Sequence, residues 1–306
     1  MPAGTLDAFM KKRPFLMALL TLGAIFLLFV VLTLLLSRCG RDFQGLPLGE
    51  RIGVIEIEGM LTESEETVTQ LLSFRDDTSI KAVILRVNSP GGAVAPSQEI
   101  HDEVARLAAV KPVVASMASV AASGGYYVSI PAHRILANPG TITGSIGVIM
   151  QVTNFEDLYH KLGLKNQVVK SGEHKDMGSP LRPMTAADRH ILQSIIDDVY
   201  DQFVHAVSEG RKMPVANVKQ LADGRIFTGR QAKEAGLVDQ LGGLQDAVRV
   251  ASELAGIRGE PKLVYPSKPK ESLLKYFIEE SASQVGRVLE QRQEGTPVMQ
   301  YLWTGQ

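Results

Sequence analysis

Residues Phe15 to Leu36 form a stretch of 22 without one charged side chain, broken only by Thr21, Gly23 and Thr33. At 1.5 Å rise per residue this makes about 33 Å of helix, enough to cross a hydrocarbon core of about 30 Å. A secretory signal has a shorter apolar region of about 7–15 residues and a small-residue cleavage site, and neither is evident. Leu36-Ser37-Arg38-Cys39 approaches a lipidation motif, but Arg38 stands where a small residue is needed before the cysteine. The stretch predicts one uncleaved span over 15–36, preceded by a cytoplasmic N-terminus over 1–14 and followed by a linker over 37–50. Lys11, Lys12 and Arg13 lie before it and Arg38, Arg41 and Arg51 after it, so the basic residues near its ends are almost balanced. The tight triplet and the short N-terminal segment favour an N-terminus inside, which puts the rest of the chain outside the cytoplasm.

That remainder reads as globular. The 306 residues are 21% charged and 45% hydrophobic, a balance foreign to disordered chains. Lys plus Arg is 32 against 33 for Asp plus Glu, which argues against a nucleic-acid partner. Cys39 is the single cysteine, so neither an internal disulfide nor a multi-cysteine metal site is available.

Apolar runs alternate with helical spacing after the linker. Ile52–Glu58, Lys81–Val87 and Val113–Met117 read as strands, with Arg134–Ala137, Ile146–Met150 and Gln167–Lys170 as shorter candidates. Helices are predicted over Glu65–Phe74 and Ser97–Leu107. A longer one follows Thr185, where Asp188 three residues on completes a capping pattern and Ile191, Ile195, Val199, Phe203 and Val207 recur on one face. Glu271–Leu289 is a further amphipathic stretch, and Val298–Trp303 is an apolar tail suited to a disordered or partner-packed end, or to a peptide groove. Strands alternating with helices through Gly-rich turns predict an α/β fold.

Three such turns draw the eye: Asn88–Gly92, Ala121–Tyr127 and Thr143–Gly147. Glycine lets a backbone approach a ligand and aim N–H groups at it. Ser123 lies where a buried strand passes into a helix, a place that serves either an N-cap or a nucleophile facing free N–H groups. It is not the elbow of α/β-hydrolases, since Ala121 replaces the first glycine of G-x-S-x-G. A nucleophilic serine needs a base. The six histidines (His101, His133, His160, His174, His190 and His205) show no local triad pattern, while Lys175 lies in a Gly-containing loop before Pro180 and Pro183. A lysine acts as base only when neutral, which burial achieves by moving the amine from about 10.4 toward 7–8. On composition alone Lys175 is a surface charge.

Taken in order, Asn88–Gly92, Ala122–Tyr127, Thr143–Gly147, Ser171–Asp176, Asp223–Ala232 and Gly236–Asp239 resemble the signal peptide peptidase A family of Ser/Lys serine proteases. The resemblance covers Ile52 to Gly243 and implies a Clp protease/crotonase-like ββα superhelix, preceded here by one transmembrane helix, with the protease domain over 51–265 and an amphipathic helix and tail over 266–306. It implies Ser123 as nucleophile, Lys175 as general base, Ser145 as the hydroxyl that orients the lysine, and the N–H groups of Gly124 and Gly92 as an oxyanion hole. It further implies no metal or cofactor, peptide substrates such as cleaved signal peptides, and a ring-like homo-oligomer with sites between protomers. The expected location is the bacterial inner membrane, with the catalytic domain extracytoplasmic. A non-catalytic scaffold of the same fold, a crotonase-type acyl-CoA enzyme, and a Ser-His pairing through His174 are the competing readings.

Overall fold

The computed structural model describes residues 21–31, 50–266 and 300–302, in two units, Met1–Gly49 and Glu50–Gln306. In the first unit residues 21–31 are helical, with Leu22, Phe26 and Phe29 exposed. Among the described residues no helix is long and apolar enough to cross a membrane. The rest of the 15–36 stretch, the linker over 37–49 and the Glu271–Leu289 helix lie outside the described residues.

The second unit runs β1 (Arg51–Leu61), α1 (Glu65–Asp76), β2 (Ile80–Ala93), α2 (Val94–Ala108), β3 (Val113–Ala122), α3 (Gly124–Ser129), β4 (Arg134–Ala137) and β5 (Ile142–Gly144). It continues through α4 (Glu156–Lys161), α5 (Ala186–Arg211), α6 (Val215–Leu221), β6 (Ile226–Thr228), α7 (Gly229–Glu234), β7 (Gln240–Leu241), α8 (Leu244–Ala255), β8 (Lys262–Val264) and β9 (Gln300–Leu302). The sheet has the order β6-β5-β3-β2-β1-β8, with β4 beside β3, β7 beside β4 and β9 beside β2. The central pairs β1–β2 and β2–β3 are parallel, while β5–β6 and β2–β9 are antiparallel. The expected α/β class is therefore present as a mixed sheet.

Strand alternation decides what each face buries. Ile52, Val54, Ala82, Ile84 and Val114 turn to one face, where Ala247, Val250 and Ala251 of α8 cover them. Their neighbours Ile55, Ile57, Val83, Leu85, Val87 and Ala115 turn to the other, against Ile100 and Val104 of α2, Leu71 of α1 and Phe203 and Val207 of α5. Both faces are covered, which is why the strands read as continuous apolar runs. Helix α5 starts with a capping box, Thr185 Oγ1 accepting from the Asp188 N–H at 3.0 Å and Asp188 Oδ2 from the Thr185 N–H at 3.1 Å.

Local composition misleads in four places. Asn88–Gly92 is no turn: β2 continues through it to Ala93, because Gly91 and Gly92 pair with Met60 and Leu61 on one side and with β9 on the other. Thr143–Gly144, expected as a turn, belongs to β5 beside Ala121 and Ala122 of β3. Among the described residues Gln167–Lys170 forms no strand and Ile146–Met150 only an isolated bridge at Ile149; Val168 and Val169 are exposed.

Helix α3 packs on β2 so closely that a Cβ at Gly125 would meet the Ser89 carbonyl oxygen at 2.5 Å. A helical Gly→Ala change ordinarily gains about 1 kcal/mol. Gly125→Ala is expected to do the reverse, lowering stability by about 1–3 kcal/mol through overpacking, measured by denaturant unfolding of residues 46–306.

Candidate active site

Ser123 stands between the end of β3 and the start of α3, and it is almost fully buried, at 1% exposure. Its backbone has φ 53° and ψ −115°, a conformation that costs a residue with a Cβ of order 1–3 kcal/mol. Two bonds hold it there. The Ser123 N–H donates to the Gly144 carbonyl at 2.8 Å, and the Ser123 carbonyl accepts from the Tyr127 N–H at 2.8 Å. Ser145 is the next residue after Gly144, itself paired with Ala122, so the two serines sit at the ends of adjacent parallel strands. Ser145 also has positive φ, 49°, and its N–H donates to the Arg225 carbonyl at 2.8 Å. Apart from Lys212, which caps α5, these two are the non-glycine residues of positive φ among the described residues.

The backbones of Gly91, Gly92 and Gly124 converge beside Ser123. A Cβ at Gly124 would lie 3.1 Å from the Gly91 Cα and 3.2 Å from the Gly92 nitrogen, and one at Gly91 would lie 2.6 Å from the Gly124 nitrogen. Gly91 has φ 103°. Gly92 has no room for a side chain either, since its Cβ would meet the Leu61 backbone at 2.2–2.6 Å. Ser89, buried and absent from the expected site, fixes this bend by accepting from the Gly91 N–H at 3.1 Å. The structure thus gathers Ser123, Ser145, Gly124 and Gly92 at one place.

Lys175 makes no hydrogen bond to this group among the described residues. It is exposed on the loop after residue 170, and among the described residues its ammonium has no hydrogen-bond or ion-pair partner. Its N–H donates to the Gly172 carbonyl at 3.2 Å. The loop is pinned by its neighbour Asp176, which accepts from Lys170 Nζ at 2.7 Å and from Arg182 at 2.9 Å. Arg182 also binds the buried Asp188 of α5 at 2.5 Å, while its buried Nε has no partner. The Arg182 and Lys170 hydrogen bonds hold the Asp176 carboxyl down at about 2, and Arg182 with the Thr185 N–H depresses Asp188 further. Asp188 was legible only as a cap, and Arg182 carried no signal in the sequence. His174 Nδ1 stands 3.9 Å from Asp188 and belongs to this same anchor. Among the described residues there is no cluster of side chains fit to hold a metal.

The sequence profile of peptidase family S49 matches residues 105–258, and that of Clp protease matches residues 45–162. The chain belongs to peptidase family S49. It is 34% identical over 286 residues to a putative protease of Methanocaldococcus jannaschii, covering 88% of this chain and 92% of that one. A putative protease of Synechocystis is 44% identical over 209 residues, 68% of this chain and 76% of the other. A putative signal peptide peptidase of Enterococcus faecium is 43% identical over 182 residues, 59% and 53% of the two chains. The protein is a serine peptidase of the signal peptide peptidase A and protease 4 group, with a Clp protease-like mixed α/β fold. That membership sets aside the acyl-CoA reading.

Two outcomes test this geometry. Glycine carries no penalty at positive φ and alanine carries about 1 kcal/mol or more; Ser123→Gly should therefore unfold at higher denaturant than Ser123→Ala. Depressed carboxyl values stabilise above the ordinary 3.8 of an aspartate and lose that effect as pH falls through about 2. Pepsin should accordingly spare residues 170–182 at pH 4 and cut them near pH 2, whereas Arg182→Gln should be cut at both.

Proposed function

We propose that the chain is a membrane-anchored endopeptidase using a Ser/Lys dyad completed by assembly, with Ser123 of one protomer meeting Lys175 of the next. The observation that carries this is the contrast between the two residues: a buried, conformationally strained serine beside glycine N–H groups, and a partnerless lysine on a well-anchored exposed loop. A side chain held in a costly conformation points to function. The stretch around Lys175 also exposes Phe155, Leu158, Leu162, Leu164, Val168 and Val169, an apolar surface that a second copy of the chain would cover. Covering it would desolvate the ammonium, the condition a lysine base requires.

Neutral Lys175 takes the Ser123 proton as Oγ attacks the peptide carbonyl. The N–H groups of Gly124 and Gly92 stabilise the oxyanion, a contribution of about 3 kcal/mol per donor. Ser145, next to Ser123 in the sheet, receives the lysine amine and orients it. The amine leaving group departs with the proton, and water, activated by the same lysine, releases the acyl-enzyme. The charge-free stretch over 15–36 supports an anchor in the bacterial inner membrane with the catalytic unit outside the cytoplasm. Apolar peptides left in the bilayer, cleaved signal peptides among them, would reach such a site by lateral diffusion. Filled nucleophile and base positions favour catalysis over a scaffold role.

Mixing settles whether the site is shared. Ser123→Ala and Lys175→Ala, each inactive on a fluorogenic apolar peptide, should regain a fraction of parental activity when dissociated and reassembled together. No recovery from assembled mixtures would place both residues within one chain, and loss of activity in His174→Ala with Lys175→Ala unaffected would replace the base.

A further inference from the structure

At Ser123 the end of β3 lies between β2 on one side and β5 on the other. The β2 side carries the converging backbones of Gly92 and Gly124, and the β5 side carries Ser145. Beyond Ser145 a cavity of about 560 Å³ opens between the 145–149 segment, the 222–224 turn and α5. A space of this size suits a bound side chain. Val148, Ile149, Ile196 and Tyr200 line it with half-buried, largely apolar surface, and buried Ala222 adds to the same wall.

Two carboxylates, Asp197 and Asp223, stand at the exposed edge of the cavity. They differ in what they hold. Asp223 is bound to the Arg225 guanidinium, which keeps its carboxyl down at about 2, so the pair is ionised and self-neutralising. Asp197 accepts from Gln193 Nε2 at 2.7 Å and has no cationic partner among the described residues. Lys219, whose charge acts on Tyr200 of the lining, is already bound to Asp201 at 3.0 Å, one turn along α5. An apolar wall ending in one uncompensated negative charge matches a side chain with an apolar stem and a cationic head.

Catalytic geometry says which part of a substrate comes here. In the tetrahedral adduct the oxyanion points to the glycine N–H groups on the β2 side. The scissile nitrogen must lie within about 2.6–3.2 Å of the group that protonates it, and that group is the lysine amine received by Ser145. The peptide beyond the scissile bond therefore departs on the β5 side, over the cavity. We propose that this cavity is the subsite for the residue on the amine side of the scissile bond, that it takes arginine or lysine, and that Asp197 sets this preference. The inference rests on Ser123 as nucleophile with its base beside Ser145. By microscopic reversibility the same subsite seats an incoming amine. Its nitrogen bonds to the acyl carbon, the ester bond to Ser123 Oγ breaks, and the amine proton passes through the lysine to Oγ.

The test is interception of the acyl-enzyme formed by the full chain in detergent from a fluorogenic apolar peptide. The acceptors are argininamide, citrullinamide (the same length without the charge) and isoglutamine, which is anionic. Argininamide should capture about 3- to 5-fold more acyl group than citrullinamide at equal concentration, the worth of one partly solvated ion pair. Isoglutamine should capture less than either. Asp197→Asn should abolish the preference for argininamide, and Asp197→Lys should turn it toward isoglutamine. Each preference is a ratio within one preparation, so a variant that assembles poorly still reports it. Equal capture of argininamide and citrullinamide by an active parent, no capture of any amide, or a preference that survives in both variants overturns the inference and leaves Ser123 as nucleophile. A parent without hydrolysis, or Ser123→Ala that retains it, overturns both.

Discussion

The parallel pairing of β2 with β3 ends at Ser89 and Ala121, and the chemistry of the chain depends on that ending. Hydrogen-bonded strands normally continue until a turn relieves them both. Here β3 stops while β2 runs on to Ala93, held by Leu61 on its other side. The divergence produces a strand edge that β9 covers in place of β3, a serine thrust into a disfavoured backbone conformation at the corner, and glycine backbones packed too tightly for any side chain. None of these would persist alone. The buried sheet faces around Ile84, Leu85 and Ala115 supply the rigidity that holds them together.

The sequence was informative where the determinants are local or periodic. The strand cores, the capping box at Thr185 and Asp188, and the serine at a strand-to-helix junction were all legible, because each depends on residues within a few positions of one another. Asn88–Gly92 was misread because Pro and Gly advertise a turn, whereas long-range pairing with Leu61 and Tyr301 makes a strand of them. The Gln167–Lys170 run misleads for the opposite reason: a strand-like pattern pairs with no strand among the described residues. The Arg182 clamp was invisible because its carboxylates lie six residues to either side and only the folded loop brings them together.

The loop bearing Lys175 starts from a fixed backbone, which is what the shared-site proposal asks of it. Four methylenes give lysine many rotamers, so the backbone from which it starts must be fixed if its reach is to be useful. Lys170, Asp176, Arg182 and Asp188 provide that fixed base without touching Lys175 itself. Charge-assisted pairs of this kind contribute little when fully solvated, but Asp188 is buried and the guanidinium binds two carboxylates, so geometry as well as energy is specified.

Helix α5 ties these arrangements into one body. Its first turn holds the clamp through Asp188, its middle packs Phe203 edge-on against Tyr127 of α3 at 5.0 Å, and its last residue, Arg211, binds Asp239, which also accepts from the Ile135 N–H of β4. A helix of 26 residues, about 39 Å long, moves as a rod on the scale of a side chain. A substitution that shifts this rod would displace at once the packing of Tyr127 on Phe203 and the carboxylate that anchors the 170–182 loop. Loop and core are thereby mechanically geared, so a change of packing along the helix is felt at its far end.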